Sequence, residues 1–107
     1  MLYNATTGTR FSLRGKLDTG ADMTVLPERV VGPLGVPPHG HVWTRGFDAS
    51  CSLRSVYYVG LTVEGFDLPA VGCVATDRSD ILLGRNVLNS LYIVLDGRRL
   101  NLVVQRR

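Results

Sequence analysis

Apolar and polar residues alternate along most of this chain. Phe11, Leu13, Gly15 and Leu17 alternate with polar partners, and this period of two is typical of a strand with one buried face. Residues 10–17 are therefore predicted to form a strand that ends just before Asp18. Further short strands are predicted at residues 23–26, 41–43, 53–63, 68–75, 92–95 and 100–104. The pattern predicts an all-β domain.

Turn and loop residues separate these strands. Glu64-Gly65 and Asp96-Gly97 are turn dipeptides that predict hairpins. Residues 44–52 are polar and contain a glycine, so they predict a longer hairpin tip. Residues 32–40 hold three prolines and three glycines, which predict a surface loop without regular structure.

Helical spacing is found in one place. Val87, Leu88 and Leu91 repeat at a helical interval, so residues 85–90 are predicted to form one short helix in the C-terminal half. Pro27 allows at most one further helical turn, over residues 28–31.

Size and composition fit one small domain covering residues 1–107. The chain is 45% hydrophobic and 20% charged, which is close to the average of globular proteins. No repeat, linker or run of about 18 apolar residues interrupts it. No secretion signal is seen, and the expected location is the cytoplasm or a longer precursor polyprotein.

The distribution of the charged residues, and of the residue types that could bind a metal, excludes some functions. The net charge of +3 comes from eleven arginines and one lysine spread along the chain, whereas a nucleic-acid footprint would cluster on one face. Cys51 and Cys73 are too few for a disulfide framework and are expected to be reduced. With His39 and His41 they do not match a zinc-binding spacing, so no metal or other cofactor is predicted.

The tripeptide Asp18-Thr19-Gly20 is the candidate for chemistry. Two neighbouring carboxylates can hydrolyse a peptide bond when one takes a proton from water and the other donates a proton to the substrate. Asp18 has no carboxylate partner in its own loop. The candidates for the second acid are Asp22, Asp48, Asp80 and Asp18 of another copy of the chain.

A second copy provides symmetric geometry directly. A two-fold axis beside the loop would bring the two Asp18 residues together, as isologous contacts do in cyclic dimers. Thr19 could then donate its hydroxyl across the axis. Gly20, which has no side chain, would let a substrate backbone approach.

Two segments together resemble a known family. Residues 17–22, Leu-Asp-Thr-Gly-Ala-Asp, followed by Thr-Val-Leu, resemble the active-site loop of retropepsin-like (retroviral-type) aspartic proteases. Residues 81–88, Ile-Leu-Leu-Gly-Arg-Asn-Val-Leu, resemble the second signature of that family, which enters its helix. The resemblance implies a closed, barrel-like acid protease fold that is active as a homodimer.

The resemblance also implies roles for single residues. Asp18 would be the catalytic aspartate, Thr19 part of an interlocking hydroxyl network, and Gly20 a main-chain contact to substrate. Ala21, Asp22 and Leu82 would line the cleft. Gly84 and Arg85 would support the site, with Arg85 paired to Asp22.

The hairpin tip corresponds by order to the flap of the family, where Gly46 and Phe47 would contact substrate. It departs from the family in having few glycines. Met23 is a second departure, at a position where many relatives are polar. The residues flanking the scissile bond are expected to be apolar, because Leu82 is a pocket candidate.

The sequence therefore predicts an aspartic endopeptidase that cleaves extended polypeptides in a cleft between two copies of the chain. The alternative is a non-catalytic dimerisation or peptide-binding module with the same fold. No nucleic-acid partner and no membrane span are expected. For the dimer interface, residues 100–104 are a better candidate than residues 2–5.

Overall fold

The structure is a computed structural model that describes residues 1–45, 50–99 and 101–105. Its elements, in chain order, are β1 (Leu2–Tyr3), β2 (Arg10–Phe11), β3 (Gly15–Leu17), β4 (Thr24–Pro27), α1 (Glu28–Leu34), β5 (Pro38–Arg45), β6 (Cys51–Val63), β7 (Phe66–Thr76), β8 (Ile81–Leu83), α2 (Arg85–Leu88), β9 (Tyr92–Asp96) and β10 (Asn101–Gln105). Strands dominate, which confirms the predicted all-β class. None of the described helices is long and apolar enough to cross a membrane.

One sheet contains most of the described strands. Its order is β2-β1-β6-β7-β4-β8-β3, and β5 pairs with β6 at the side of this path. The pairs β3–β8 and β4–β7 are parallel, whereas β5–β6 and β6–β7 are antiparallel hairpins. Strands β9 and β10 form a separate two-stranded sheet.

The core lies between this sheet and the two helices. The residues that form it are apolar and almost fully buried: Leu2, Leu26, Val30, Leu34, Val36, Val59, Leu61, Val71, Cys73, Ile81, Leu83, Val87 and Leu91. Along β8, for example, the buried Ile81 and Leu83 alternate with the half-buried Leu82, as expected for a strand with one face on the core.

Residues 10–17 form two strands, so the prediction of one continuous strand is wrong. The chain changes partner between them: β2 pairs with β1, and β3 pairs with β8. Alternation persists across the break, because Phe11, Leu13 and Leu17 all pack against the same core. The alternation of apolar and polar residues therefore predicted the buried face correctly but did not predict the change of pairing strand.

The predicted loop at residues 32–40 is also wrong at both ends, because α1 extends to Leu34 and β5 begins at Pro38. Pro33 lies in the last turn of α1 and removes one backbone donor there. Burial of Val30 and Leu34, 1% and 0% exposed, offsets this loss. Gly35 ends the helix in the left-handed conformation, with φ of 77°, and its N–H donates to the Val31 carbonyl. The chain thus has a second short helix besides α2.

The three predicted hairpins are present. Glu64 and Gly65 form the turn between β6 and β7. At Asp96-Gly97 the loop is longer than the dipeptide suggested, because Asp96 pairs with Asn101. The Asp96 carboxylate accepts a hydrogen bond from the Arg99 N–H and stabilises this loop.

Candidate active site

Asp18 follows the last residue of β3, as predicted. Its N–H donates to the Leu83 carbonyl at 3.0 Å, which extends the parallel ladder between β3 and β8 by one residue. The side chain is half-buried. The base of the Asp18 loop is therefore held by a strand that comes from the second family-like segment.

The loop also folds on itself. One carboxylate oxygen of Asp18, Oδ1, accepts a hydrogen bond from the Gly20 N–H at 2.9 Å, and the Ala21 N–H donates to the Asp18 carbonyl at 3.2 Å. This is the local bonding of an Asx turn. Among the residues that the structure describes, Asp18 Oδ2 and the Thr19 hydroxyl have no hydrogen-bond partner. These two groups are available for contacts outside the protomer.

Arg85 ties the far end of the loop to α2. Its guanidinium forms an ion pair with the Asp22 carboxylate, and its N–H donates to the Ala21 carbonyl at 2.8 Å. The side chains are 51% and 81% exposed, so solvent screens the charge interaction strongly. The backbone bond and the ion pair together fix Ala21 and Asp22 relative to α2.

Replacing Arg85 with lysine is expected to lower the free energy of unfolding by about 0.5–1 kcal/mol, the range of a solvent-exposed ion pair. Lysine retains the charge but loses the planar group that pairs with a carboxylate through two donors. Urea unfolding measures the effect, with the exposed Arg10→Lys as the matched control. Equal stability of both variants and the wild type would contradict a structural role for this pair.

Two further residues, Thr24 and Asn86, hold the site and were not predicted from the sequence. The Asn86 side-chain oxygen accepts hydrogen bonds from the Thr24 N–H and hydroxyl, both at 3.0 Å, and its amide donates to the Gly72 carbonyl at 2.8 Å. The Thr24 hydroxyl in turn accepts from the Gly84 N–H at 3.2 Å. We call Thr24, Gly84 and Asn86 the polar clamp. It joins β4, β7 and the start of α2 behind the Asp18 loop.

Gly84 permits the closest backbone approach in this clamp. A Cβ at residue 84 would lie 2.9 Å from the Thr24 nitrogen and closer still to the Met23 carbonyl. Both neighbours are backbone atoms, so they cannot rotate away as a flexible side chain would. The segment after β8 can therefore pack against residues 23 and 24 only when residue 84 lacks a side chain.

Gly84→Ala is expected to lower the free energy of unfolding by about 3 kcal/mol, because the added methyl group forces the backbones of two segments apart. Chemical denaturation measures this loss. Gly32→Ala is the matched control, since a Cβ at Gly32 in α1 meets no atom within 4 Å apart from the neighbouring backbone of its own helix, and alanine is a better helix former than glycine. A Gly84→Ala protein as stable as the control would refute the close approach.

Apolar side chains lie on the same face as Asp18. Leu82 is directly opposite Val25 in the β4–β8 pair, and both are half-buried. Leu82 also pairs with Lys16 in the parallel ladder. Because alternate residues share a face of a strand, Lys16, Asp18 and Leu82 project from one side of the sheet. Gly46 and Phe47, the two predicted flap contacts, lie outside the described residues.

The histidines and cysteines are not brought together. The His39 ring packs edge-on against Tyr58, with centroids 5.8 Å apart. Cys51 and Cys73 are both free thiols. Cys73 lies in the core, and burial raises its pKa to about 12. In the described part of the chain, no group of three or more His, Cys, Asp or Glu residues could hold a metal ion.

Comparisons with known proteins agree with this geometry. A family model described as aspartyl protease matches residues 5–87, a range that includes Asp18 and Arg85. No curated protein sequence matches the chain significantly. Solved structures do match, and several of them are viral.

The foamy viral protease-reverse transcriptase in complex with an RNA/DNA hybrid matches with a TM-score of 0.62 and 23% identity, over 72% of this chain and 10% of that chain. The present chain thus spans only a small part of that protein. The simian foamy virus (mac) protease matches with a TM-score of 0.58 and 22% identity, over 72% of this chain and 80% of that one. EIAV protease complexed with the inhibitor HBY-793 matches with a TM-score of 0.60 and 23% identity, over 72% of this chain and 74% of that one. These similarities confirm the retropepsin-like fold.

Proposed function

The chain belongs to the aspartyl protease family, and from this premise we propose that it is an aspartic endopeptidase whose active site is completed by a second copy of the chain. The observation that carries the proposal is the Asp18 loop. It presents a half-buried carboxylate at a strand end, beside an apolar face, while Asp22, the other acid of the loop, is paired with Arg85.

Two of the other candidate acids are poor partners for Asp18. A dyad needs one carboxyl group that keeps a proton, because two adjacent carboxylates repel each other when both are ionised. Asp22 is paired with Arg85, and Asp80 with Arg78 and Lys16. The hydrogen bonds from Arg78 also lower the pKa of Asp80, which favours its ionised form. Asp48 lies outside the described residues.

A second copy of the chain supplies an Asp18 in an identical environment. In such a pair one carboxylate takes a proton from the attacking water, and the other donates its proton to the substrate carbonyl. Asp18 Oδ2 is free for this partner in the protomer, and the exposed Thr19 hydroxyl is free to donate across the axis. The reaction then needs only the two aspartates and water.

An exposed apolar hairpin supports self-association. In β9–β10 the exposed apolar side chains are Tyr92, Val94, Leu95, Leu102 and Val103. They occupy both faces, because Leu95 pairs with Leu102 and Val94 with Val103. Ile93 and Val104 attach the hairpin to the core, whereas its exposed apolar surface is of the kind that marks interaction sites. We assign this hairpin to the dimer interface.

Substrate would lie as an extended strand between the two Asp18 loops and the β5–β6 hairpins. Ala21 and Asp22 are at the edge of the loop, and Leu82 with Val25 forms an apolar patch beside Asp18. The prediction that Gly46 and Phe47 contact the substrate is retained as part of this proposal. Main-chain hydrogen bonds along such a cleft would bind peptides without strict regard to sequence.

The test is cleavage of a proteome-derived peptide mixture between pH 3 and 8, followed by mass spectrometry. We expect cleavage that a statine-type transition-state analogue blocks, and a specific activity that falls on dilution as dimers dissociate. Activity that stays constant per chain after dissociation to monomers would refute the shared site. A folded dimer that cleaves no peptide at any pH would instead favour a binding module.

A further inference from the structure

A charged cluster lies beside the Asp18 loop. It consists of Lys16 on β3 and of Arg78 and Asp80 in the loop before β8, and we call these three residues the Lys16 cluster. The Asp80 Oδ1 atom accepts hydrogen bonds from Arg78 Nη2 at 2.7 Å and Nε at 3.0 Å, and Lys16 Nζ lies 3.6 Å from Asp80 Oδ2. Arg78 Nε also contacts the Asp80 carbonyl at 3.2 Å. Arg78 and Asp80 therefore form a fixed pair.

The position of Lys16 relates the cluster to the reaction. Lys16 precedes Asp18 by two residues, and the β3–β8 ladder continues to Asp18. Residues two apart in a strand share a face and are separated by about 6–7 Å. An extended substrate has a similar spacing. A side chain next to the scissile bond would therefore reach Lys16 while the bond itself lies at Asp18.

The charges of the cluster leave Lys16 in excess. The hydrogen bonds from Arg78 lower the pKa of Asp80, so Asp80 is ionised at neutral pH. Its side chain is 14% exposed, and its charge is balanced by Arg78, which is 29% exposed. Lys16 is 66% exposed and makes one long ion pair. The ammonium group has three donors, so it retains the capacity to bind another carboxylate.

From this arrangement we propose that the Lys16 cluster makes the enzyme selective for acidic side chains, above all Glu, at the positions flanking the scissile bond. The inference rests on the proposed function. In a symmetric dimer each copy supplies one cluster, so both flanking positions are affected. Glu is favoured over Asp because its longer side chain reaches Lys16 while its carboxylate stays away from the negatively charged Asp18 pair.

This proposal replaces the expectation of apolar flanking residues. Leu82 and Val25 do form an apolar patch, but Lys16 pairs with Leu82 and lies on the same face. The methylene groups of a Glu side chain can contact the patch while the carboxylate contacts the ammonium group. A purely apolar side chain would leave Lys16 without this interaction and would partly desolvate it.

The experiment compares four peptides that differ only in the residue before the scissile bond: Glu, Gln, Leu or Lys. They are based on a cleavage site found in the peptide mixture. For the wild type we expect a kcat/KM for Glu about fivefold above that for Gln, as for one partly exposed ion pair. Lys16→Met should remove this difference, and Lys16→Glu should make a Lys peptide better than the Glu peptide. Arg10→Met, which removes a charge from β2, should keep the wild-type preference and so control for net charge.

A wild type that prefers Leu, or a Glu-to-Gln ratio unchanged in Lys16→Met, would overturn the inference while peptide cleavage itself would uphold the proposed function. If no peptide is cleaved, the proposed function fails, and calorimetric binding of the same peptides then decides the inference. Binding of Glu over Gln that depends on Lys16 would retain the acidic selectivity in a binding module. Equal binding would refute it.

Discussion

Asp18→Asn is expected to lower kcat for peptide cleavage by about a thousandfold or more, the scale on which general acid–base groups contribute to catalysis. Asparagine has nearly the shape of aspartate but cannot accept or release the shared proton. It can still accept the hydrogen bond that the Gly20 N–H gives to Asp18, so the loop is expected to stay folded. Peptide cleavage measured at equal dimer concentration tests this result.

Mixing the wild type with the Asp18→Asn variant distinguishes an active site shared by two chains from an active site within one chain. If dimers form at random, a ninefold excess of Asp18→Asn leaves only about 1% of the dimers with two aspartates. Activity per wild-type chain should therefore fall about tenfold. Activity that remains proportional to the amount of wild-type chain would show that each chain works alone and would contradict the dimeric mechanism. Circular dichroism of the variant controls for folding.

Leu95→Arg is expected to raise the dimer dissociation constant at least about a hundredfold, because a two-fold interface would bury the new charge twice. Leu95 is 68% exposed in the protomer, so the change should cost the protomer itself little. Cleavage should be lost at concentrations where the wild type is dimeric. Sedimentation velocity measures the association, and the peptide assay measures the consequence.

Leu53→Arg is the matched control for this change. Leu53 lies on β6 and is 54% exposed, but it is not part of the β9–β10 hairpin. The Leu53→Arg substitution should leave the sedimentation behaviour of the dimer unchanged. A dimer that withstands Leu95→Arg but dissociates with Leu53→Arg would move the interface from the β9–β10 hairpin to the β5–β6 hairpin.

The sequence predicted those parts of the fold that depend on neighbouring residues. Alternation identified most strands, and Glu64-Gly65 identified a hairpin, because both signals act through local backbone geometry. The position of Asp18 followed from the strand that ends at Leu17. In contrast, the end of α1 was not predicted, since tertiary burial of Leu34 outweighs the unfavourable Pro33.

The supporting residues of the site were harder to predict for a different reason. Asn86 lies 62 residues from Thr24 along the chain, and nothing local shows that its amide bonds to two strands. The Lys16 cluster likewise joins β3 to a loop some sixty residues later. Read alone, Lys16 is an ordinary polar residue at an alternating position. Only the parallel pairing of β3 with β8 shows that Lys16 lies beside Leu82, on the same face as Asp18.

The burial of Cys73 has a practical consequence for spectroscopy. A thiol with a pKa of about 12 is almost entirely protonated at neutral pH, and the core shields it from reagents. Cys51 is exposed at the first residue of β6, opposite Arg45. A maleimide spin label should therefore attach at this one position without any mutation. In a dimer, the distance between the two labels would report the separation of the two β5–β6 hairpins, with and without peptide.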